Sequence, residues 1–123
     1  VQIYDATVHD TAKEESADVV LMDVPCSGLG VMGKKRDIKY HVTPESLQSI
    51  TELQKKIVEA GWQYVKPGGV LLYSTCTIHS RENSQMAAWI CEHFPFVLEE
   101  ERQLLPGTDE TDGFYFARLR RKV

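Results

Sequence analysis

Residues 19–30, VVLMDVPCSGLG, constrain this chain more than any other stretch. Four consecutive apolar residues, 19–22, predict a strand buried on both faces, and the Pro25-Cys26-Ser27-Gly28 turn stops its ladder abruptly. Asp23 and Cys26 are thereby delivered to the carboxyl end of a strand. Residues 69–74, GVLLYS, repeat the plan and deliver Thr75-Cys76-Thr77 to the same kind of edge. Open α/β sheets bind ligands outside those carboxyl ends. If the two strands are neighbours, two thiols and a carboxylate converge on one crevice.

The rest of the chain supplies the elements that such a sheet needs. Thr43 is a good N-cap, Pro44 suits the first helical position, and Glu45 places an acid in the first turn. Leu47, Ile50, Leu53, Ile57, Val58, Trp62 and Val65 then recur at helical spacing, and Lys66-Pro67-Gly68-Gly69 is expected to end the helix and launch the second strand. Ser80 is expected to cap a second helix over 81–93, with Met86, Ile90 and Phe94 on its buried side. Strands are expected at 96–100 and 114–120, joined by a loop over 104–113. Residues 1–5 read as strand-like and end in Asp5; residues 9–18 are too polar and short for a convincing helix and could form a single helical turn. Strands alternating with helices imply right-handed crossovers and a mainly parallel α/β sheet, whereas the last two strands, joined without a helix, imply an antiparallel pair at one edge.

A chain of 123 residues is one domain at most, and one that opens on Val1 inside a strand-like segment is expected to be a piece of a longer protein. There is no apolar run of membrane length and no signal-peptide pattern, so the expected address is cytoplasmic, with no membrane partner. Three cysteines without a CxxC pair argue against a disulfide framework and against a zinc site, and suit a reducing compartment. The four histidines show no metal-ligand spacing, and no metal is expected. A net charge of −4 means that any nucleic acid would have to meet a local basic patch. Lys34, Lys35, Arg36 and Lys39 form one, either as a solvated face or as phosphate contacts on a loop across the crevice.

Gly28-Leu29-Gly30-Val31-Met32-Gly33 matches the dinucleotide-binding GxGxxG pattern, but no amphipathic helix opens after it, as that fingerprint requires. Cys91, beside Ile90 in a predicted helix, reads as a small buried hydrophobe. Cys26 and Cys76 differ in their shared position at strand ends, where turns and helix N-termini expose a thiol and lower its pKa. Asp23 either stabilises its own turn or points into the crevice. Two thiols and a carboxylate suit one chemistry in particular. A thiolate adding at position 6 of cytosine makes an enamine whose C5 can attack a sulfonium methyl group, an acid at ring N3 stabilises the developing charge, and a second thiol assists loss of the C5 proton. The residues permit this scheme without demanding it.

Asp-Val-Pro-Cys-Ser-Gly (23–28), Asp37-Ile38-Lys39-Tyr40, Val65-Lys66-Pro67-Gly68-Gly69, Tyr73-Ser74-Thr75-Cys76-Thr77, Glu82-Asn83, Leu105-Pro106-Gly107 and Asp112-Gly113-Phe114-Tyr115 together resemble the Sun (Fmu) family of bacterial ribosomal RNA cytosine-5 methyltransferases. The resemblance implies a Rossmann-like methyltransferase sheet, mainly parallel with an antiparallel carboxyl-terminal edge and lacking the first strands. On this resemblance the chain is part of an S-adenosylmethionine-dependent catalytic domain acting on ribosomal RNA. Cys76 takes the nucleophile's role and Cys26 the release role. Asp23 contacts cytosine N3 near the methyl donor, and Asp5 matches an acid near the donor's adenine. The family's glycine-rich donor loop and ribose-binding acid lie upstream of the segment resembling residues 1–5. The isolated chain is therefore expected to be inactive and to self-associate through exposed sheet edges. Arg36 and Tyr40 stand where the family usually has Pro and Trp. The competing readings are a DNA cytosine-5 methyltransferase, in which the Pro-Cys thiol is the nucleophile, and a binding or assembly module that keeps the fold without catalysis.

Overall fold

The structure, a computed structural model, describes residues 2–28, 43–108 and 112–123. Six elements follow in chain order: β1 (Ala17–Asp23), α1 (Pro44–Gly61), β2 (Val65–Thr75), α2 (Ser84–His93), β3 (Phe96–Leu104) and β4 (Phe114–Arg121). The strands form a mixed sheet of order β1-β2-β4-β3. β1 and β2 are parallel, joined by a segment that contains α1, and β4 pairs antiparallel with both β2 and β3. The two motif-bearing strands are thus neighbours, and the last two strands form the expected antiparallel pair.

α1 starts where its capping residues predict. Thr43 Oγ1 accepts the Ser46 N–H at 3.1 Å while Ser46 Oγ accepts the Thr43 N–H at 2.8 Å, satisfying two otherwise orphaned donors. The helix ends at Gly61, and a 3-10 turn over Trp62–Tyr64 leads into β2. Lys66-Pro67-Gly68-Gly69, expected between helix and strand, instead lies inside β2. Ala17 pairs with Val65 and Val19 with Val70, so β2 uses more residues than β1 over the same length and must bulge. Gly68 takes up the bend at φ +80°, and a Cβ on Gly69 would stand 2.8 Å from the Asp18 carbonyl oxygen and 2.9 Å from that of Lys66.

The core lies against one face of the sheet. Met22 of β1, Leu71 and Tyr73 of β2, Tyr115, Ala117 and Leu119 of β4, and Phe96 of β3 pack with Val58 of α1 and Met86, Ala87 and Ile90 of α2. The expectation that residues 19–22 are buried on both faces is corrected: Met22 is 7% exposed, but Val19 is 55% and Leu21 67% exposed. Side chains alternate across a strand, and the helices among the described residues cover only the Met22 side.

Three boundaries also differ from expectation. Residues 2–5 form no strand. α2 begins at Ser84, because a turn in which the Asn83 N–H reaches the Ser80 carbonyl at 3.2 Å precedes it. β3 runs on to Leu104, its acids Glu99 and Glu100 paired with Arg118 and Arg120 of β4. The leading segment forms the single helical turn, Thr11–Lys13, capped by Asp10. His9 ties it to α1, with Nδ1 2.6 Å from the Ala60 carbonyl oxygen and Nε2 2.6 Å from Glu14 Oε1. Both partners accept, so the arrangement favours an imidazolium; the Ala60 carbonyl and then Glu14 raise the His9 pKa. Residues 29–42, with most of the GxGxxG match and all of Lys34, Lys35 and Lys39, lie outside the described residues. Among the described residues no helix is long and apolar enough to cross a membrane.

Candidate active site

The parallel register sets Asp23 beside Ser74, so the two chains leave the sheet side by side. The Val24 N–H reaches the Ser74 carbonyl at 3.2 Å and extends the pairing by one more step. Just beyond, Cys26 Sγ and Cys76 Sγ lie 2.8 Å apart, and the Cys76 N–H donates to Cys26 Sγ at 3.3 Å. Both cysteines are half-buried. The convergence of thiols expected from the two strand ends is present.

The electrostatics of Cys26 differ from expectation. Burial, and then the hydrogen bond with the Cys76 thiol, push its pKa up to about 12 instead of lowering it. The turn that ends β1 tucks this sulfur beneath its neighbours rather than presenting it to water, and desolvation disfavours the thiolate. Asp23 is exposed at the strand end, and Ser74 Oγ donates to its Oδ1 at 3.1 Å. That bond crosses between strands rather than bracing a local turn. Beside Asp23 a cavity of about 270 Å³ is lined by residues that include Tyr4, Met22, Pro25, Ile57 and Tyr64. Asp5 turns its Oδ1 to the Thr7 N–H at 2.9 Å and the Thr7 hydroxyl at 2.6 Å. The hydroxyl and then the amide hold its carboxyl below the usual range.

Sequence reasoning missed the polar network beneath the thiols. Glu82 is fully buried; its Oε1 accepts from the Ser27 N–H at 2.8 Å and from Gln54 Nε2 at 3.1 Å, and its Oε2 accepts from Ser27 Oγ at 2.7 Å. Ser27 Oγ is 2.8 Å from Thr77 Oγ1, and since its single proton goes to Glu82, Thr77 is the donor in that contact. Asn83, also buried, accepts from Thr75 Oγ1 at 2.6 Å and donates to the Thr77 carbonyl at 2.9 Å and to Gln103 Oε1 at 2.6 Å. Tyr73 donates its hydroxyl to the Glu82 carbonyl at 2.7 Å, and burial raises its pKa strongly. His79, one of the four histidines without metal-ligand spacing, stands with Nδ1 3.6 Å from Glu82 Oε2. One signal was readable: Gln54 sits four residues from both Ile50 and Val58, a polar side chain in the apolar stripe of α1.

Comparison with known proteins places this chain in a family. Residues 1–120 match the family described as 16S rRNA methyltransferase RsmB/F. The chain is 34% identical over 136 residues to ribosomal RNA small subunit methyltransferase F of Escherichia fergusonii, covering 96% of this chain and 28% of that protein. It is 38% identical over 112 residues to ribosomal RNA small subunit methyltransferase B of Vibrio cholerae, covering 85% of this chain and 26% of the relative. Among solved structures, NSun6 from Pyrococcus horikoshii with SFG superposes with a TM-score of 0.80 at 26% identity, covering 98% of this chain and 34% of that one. The chain therefore spans little more than a quarter of the curated relatives that it matches. With its open α/β sheet and paired strand ends, it belongs to the 16S rRNA methyltransferase RsmB/F family.

Proposed function

We propose that this chain carries the nucleophile and the release group of a ribosomal RNA cytosine-5 methyltransferase. The observation that carries the reading is the 2.8 Å approach of Cys26 and Cys76 at the ends of two parallel strands, beside Asp23. Of the two sulfurs Cys76 is assigned as the nucleophile on the resemblance of Tyr73-Ser74-Thr75-Cys76-Thr77 to the family's motif, and the burial that pushes the Cys26 thiol up agrees with that choice. The Cys76 thiolate forms a bond to cytosine C6 as the C5–C6 π bond breaks, and the Asp23 carboxyl gives its proton to ring N3, neutralising the charge that develops there. The C5 electron pair then bonds to the methyl carbon, whose bond to the donor's sulfur breaks. Cys26 gives its thiol proton to water and, as a thiolate, takes the C5 proton. The electron pair released by that step expels Cys76.

The donor assigned is S-adenosylmethionine, which supplies the methyl group when bound. The cavity beside Asp23 fits its chemistry: a carboxylate for a positively charged sulfonium, and Ile57, Tyr4 and Tyr64 for an apolar wall. The relationship to a structure solved with SFG supports the same choice. Asp5 is assigned to the donor's adenine side on the resemblance alone, and Lys34, Lys35 and Lys39 to RNA phosphates on their charge. The DNA methyltransferase reading is not favoured, because it gives the nucleophile's role to Cys26.

The test uses the complete protein containing this chain and a cytosine-bearing ribosomal RNA fragment. Cys76→Ala should abolish methylation and any covalent link to RNA. Cys26→Ala should accumulate a protein–RNA band that resists denaturant, and the double substitution should lose it. An adduct that persists in Cys76→Ala and disappears in Cys26→Ala would reverse the assignment.

A further inference from the structure

We propose that the adjacent residues Glu82 and Asn83 are positioning residues with separate duties, Glu82 setting the place of Cys26 and Asn83 that of Cys76. The inference rests on the catalytic reading above. It starts from the backbone on either side of each sulfur. Next to Cys26, the Pro25 carbonyl accepts from Gln54 Nε2 at 2.9 Å and the Ser27 N–H donates to Glu82 Oε1 at 2.8 Å. Gln54 also donates to Glu82, so one clamp holds both flanks of the thiol. Next to Cys76, the Thr75 hydroxyl donates to Asn83 Oδ1 and the Thr77 carbonyl accepts from Asn83 Nδ2. A second clamp, steadied by Gln103 at the end of β3, holds the flanks of the other thiol.

A carboxylate with no solvent exposure is costly unless donors surround it. Three donors do so at Glu82, two of them from Ser27 in the turn that carries Cys26. An apolar side chain would fill the same space without the desolvation cost. What the carboxylate adds is a fixed acceptor for that turn. Asn83 offers both an acceptor and a donor, which the hydroxyl before Cys76 and the carbonyl after it require. Its side chain is so engaged that it makes no capping bond to α2, the helix it precedes. The Ser27–Thr77 contact joins the two clamps, since the hydroxyl that donates to Glu82 also accepts from Thr77.

The experiment compares Glu82→Ala, Glu82→Gln, Ser27→Ala and Asn83→Ala with Cys26→Ala and Cys76→Ala in the complete protein. Methyl transfer and denaturant-resistant RNA adduct are measured in a single turnover. Glu82→Ala and Ser27→Ala should follow Cys26→Ala, with adduct rising on the order of tenfold over the unsubstituted protein, since a small misplacement of a reacting group costs one to two powers of ten in rate. Glu82→Gln, which keeps one acceptor oxygen, should show a smaller rise. Asn83→Ala should follow Cys76→Ala and lose adduct and methyl transfer together. If Glu82→Ala does not fold, Glu82→Gln and Ser27→Ala decide. Glu82 and Ser27 variants that lower both readouts in the same proportion, or an Asn83→Ala that accumulates adduct, overturn the proposal and leave the pair a packing feature. Reversed behaviour of the two cysteine variants overturns the nucleophile assignment instead; the clamps then stand only if each still follows its own thiol. No adduct in any variant overturns both.

Discussion

Cys26 holds its proton more tightly than a free cysteine does, and this sets how it reacts. Burial and then the neighbouring Cys76 thiol push its pKa up from the ordinary value, so its thiolate fraction at pH 8 lies well below that of a free cysteine. Alkylation followed peptide by peptide should label Cys26 in the folded protein at least tenfold more slowly, on the order of the thiolate it loses, at pH 8 than in the unfolded chain. A labelling midpoint near pH 9 would contradict the burial of this sulfur. The same shift has a stability consequence. The folded-state pKa is raised, so the contribution is fully present below about pH 9 and is lost as pH climbs towards 12. The thiols themselves were legible in the sequence, because an apolar run that stops at a turn places whatever follows at a sheet edge. Glu82 and Asn83 were legible only as letters of a motif. That they are buried, and that each reaches across to a different strand end, follows from tertiary packing that no local pattern encodes.

Among the elements, β2 departs most from its sequence. Pro67-Gly68-Gly69 reads as a terminator, but within the strand it forms a bulge that lets β1 and β2 regain register before Asp23 and Ser74 come side by side. Gly69→Ala should therefore cost about 1–3 kcal/mol, seen as a lower urea midpoint, because its Cβ would press on two backbone carbonyls. Gly61→Ala should cost less, since its Cβ would meet the end of the Met22 side chain at 2.7 Å and the Tyr64 ring at an ordinary 3.5 Å, and no backbone atom. Equal costs would remove the bulge from the account. The start of α1 was legible because Thr43, Pro44 and Glu45 act locally; the return bond from Ser46 was not. The open face of β1 was not, since four apolar residues in a row look the same whether one face or two are covered.

At the scale of the molecule, the described strands leave one edge of β1 unpaired, with Val19 and Leu21 exposed on the face away from the helices. Unpaired edges beside apolar surface are templates for association. Residues 1–123 expressed alone should self-associate in sedimentation velocity, with Leu21→Lys reducing the effect, and should bind S-adenosylmethionine weakly in calorimetry. A monomer with micromolar donor affinity would show that the chain is self-sufficient. The division of labour between the thiols is the central claim, and it needs the complete protein with RNA. The measurement that reaches it most directly is digestion of the denaturant-resistant adduct formed by Cys26→Ala, followed by mass-spectrometric mapping of the peptide that carries the base. The modification should fall on Cys76, in the peptide that contains Tyr73-Ser74-Thr75-Cys76-Thr77. The contradicting result is an adduct that forms only when Cys76 is replaced and maps to Cys26.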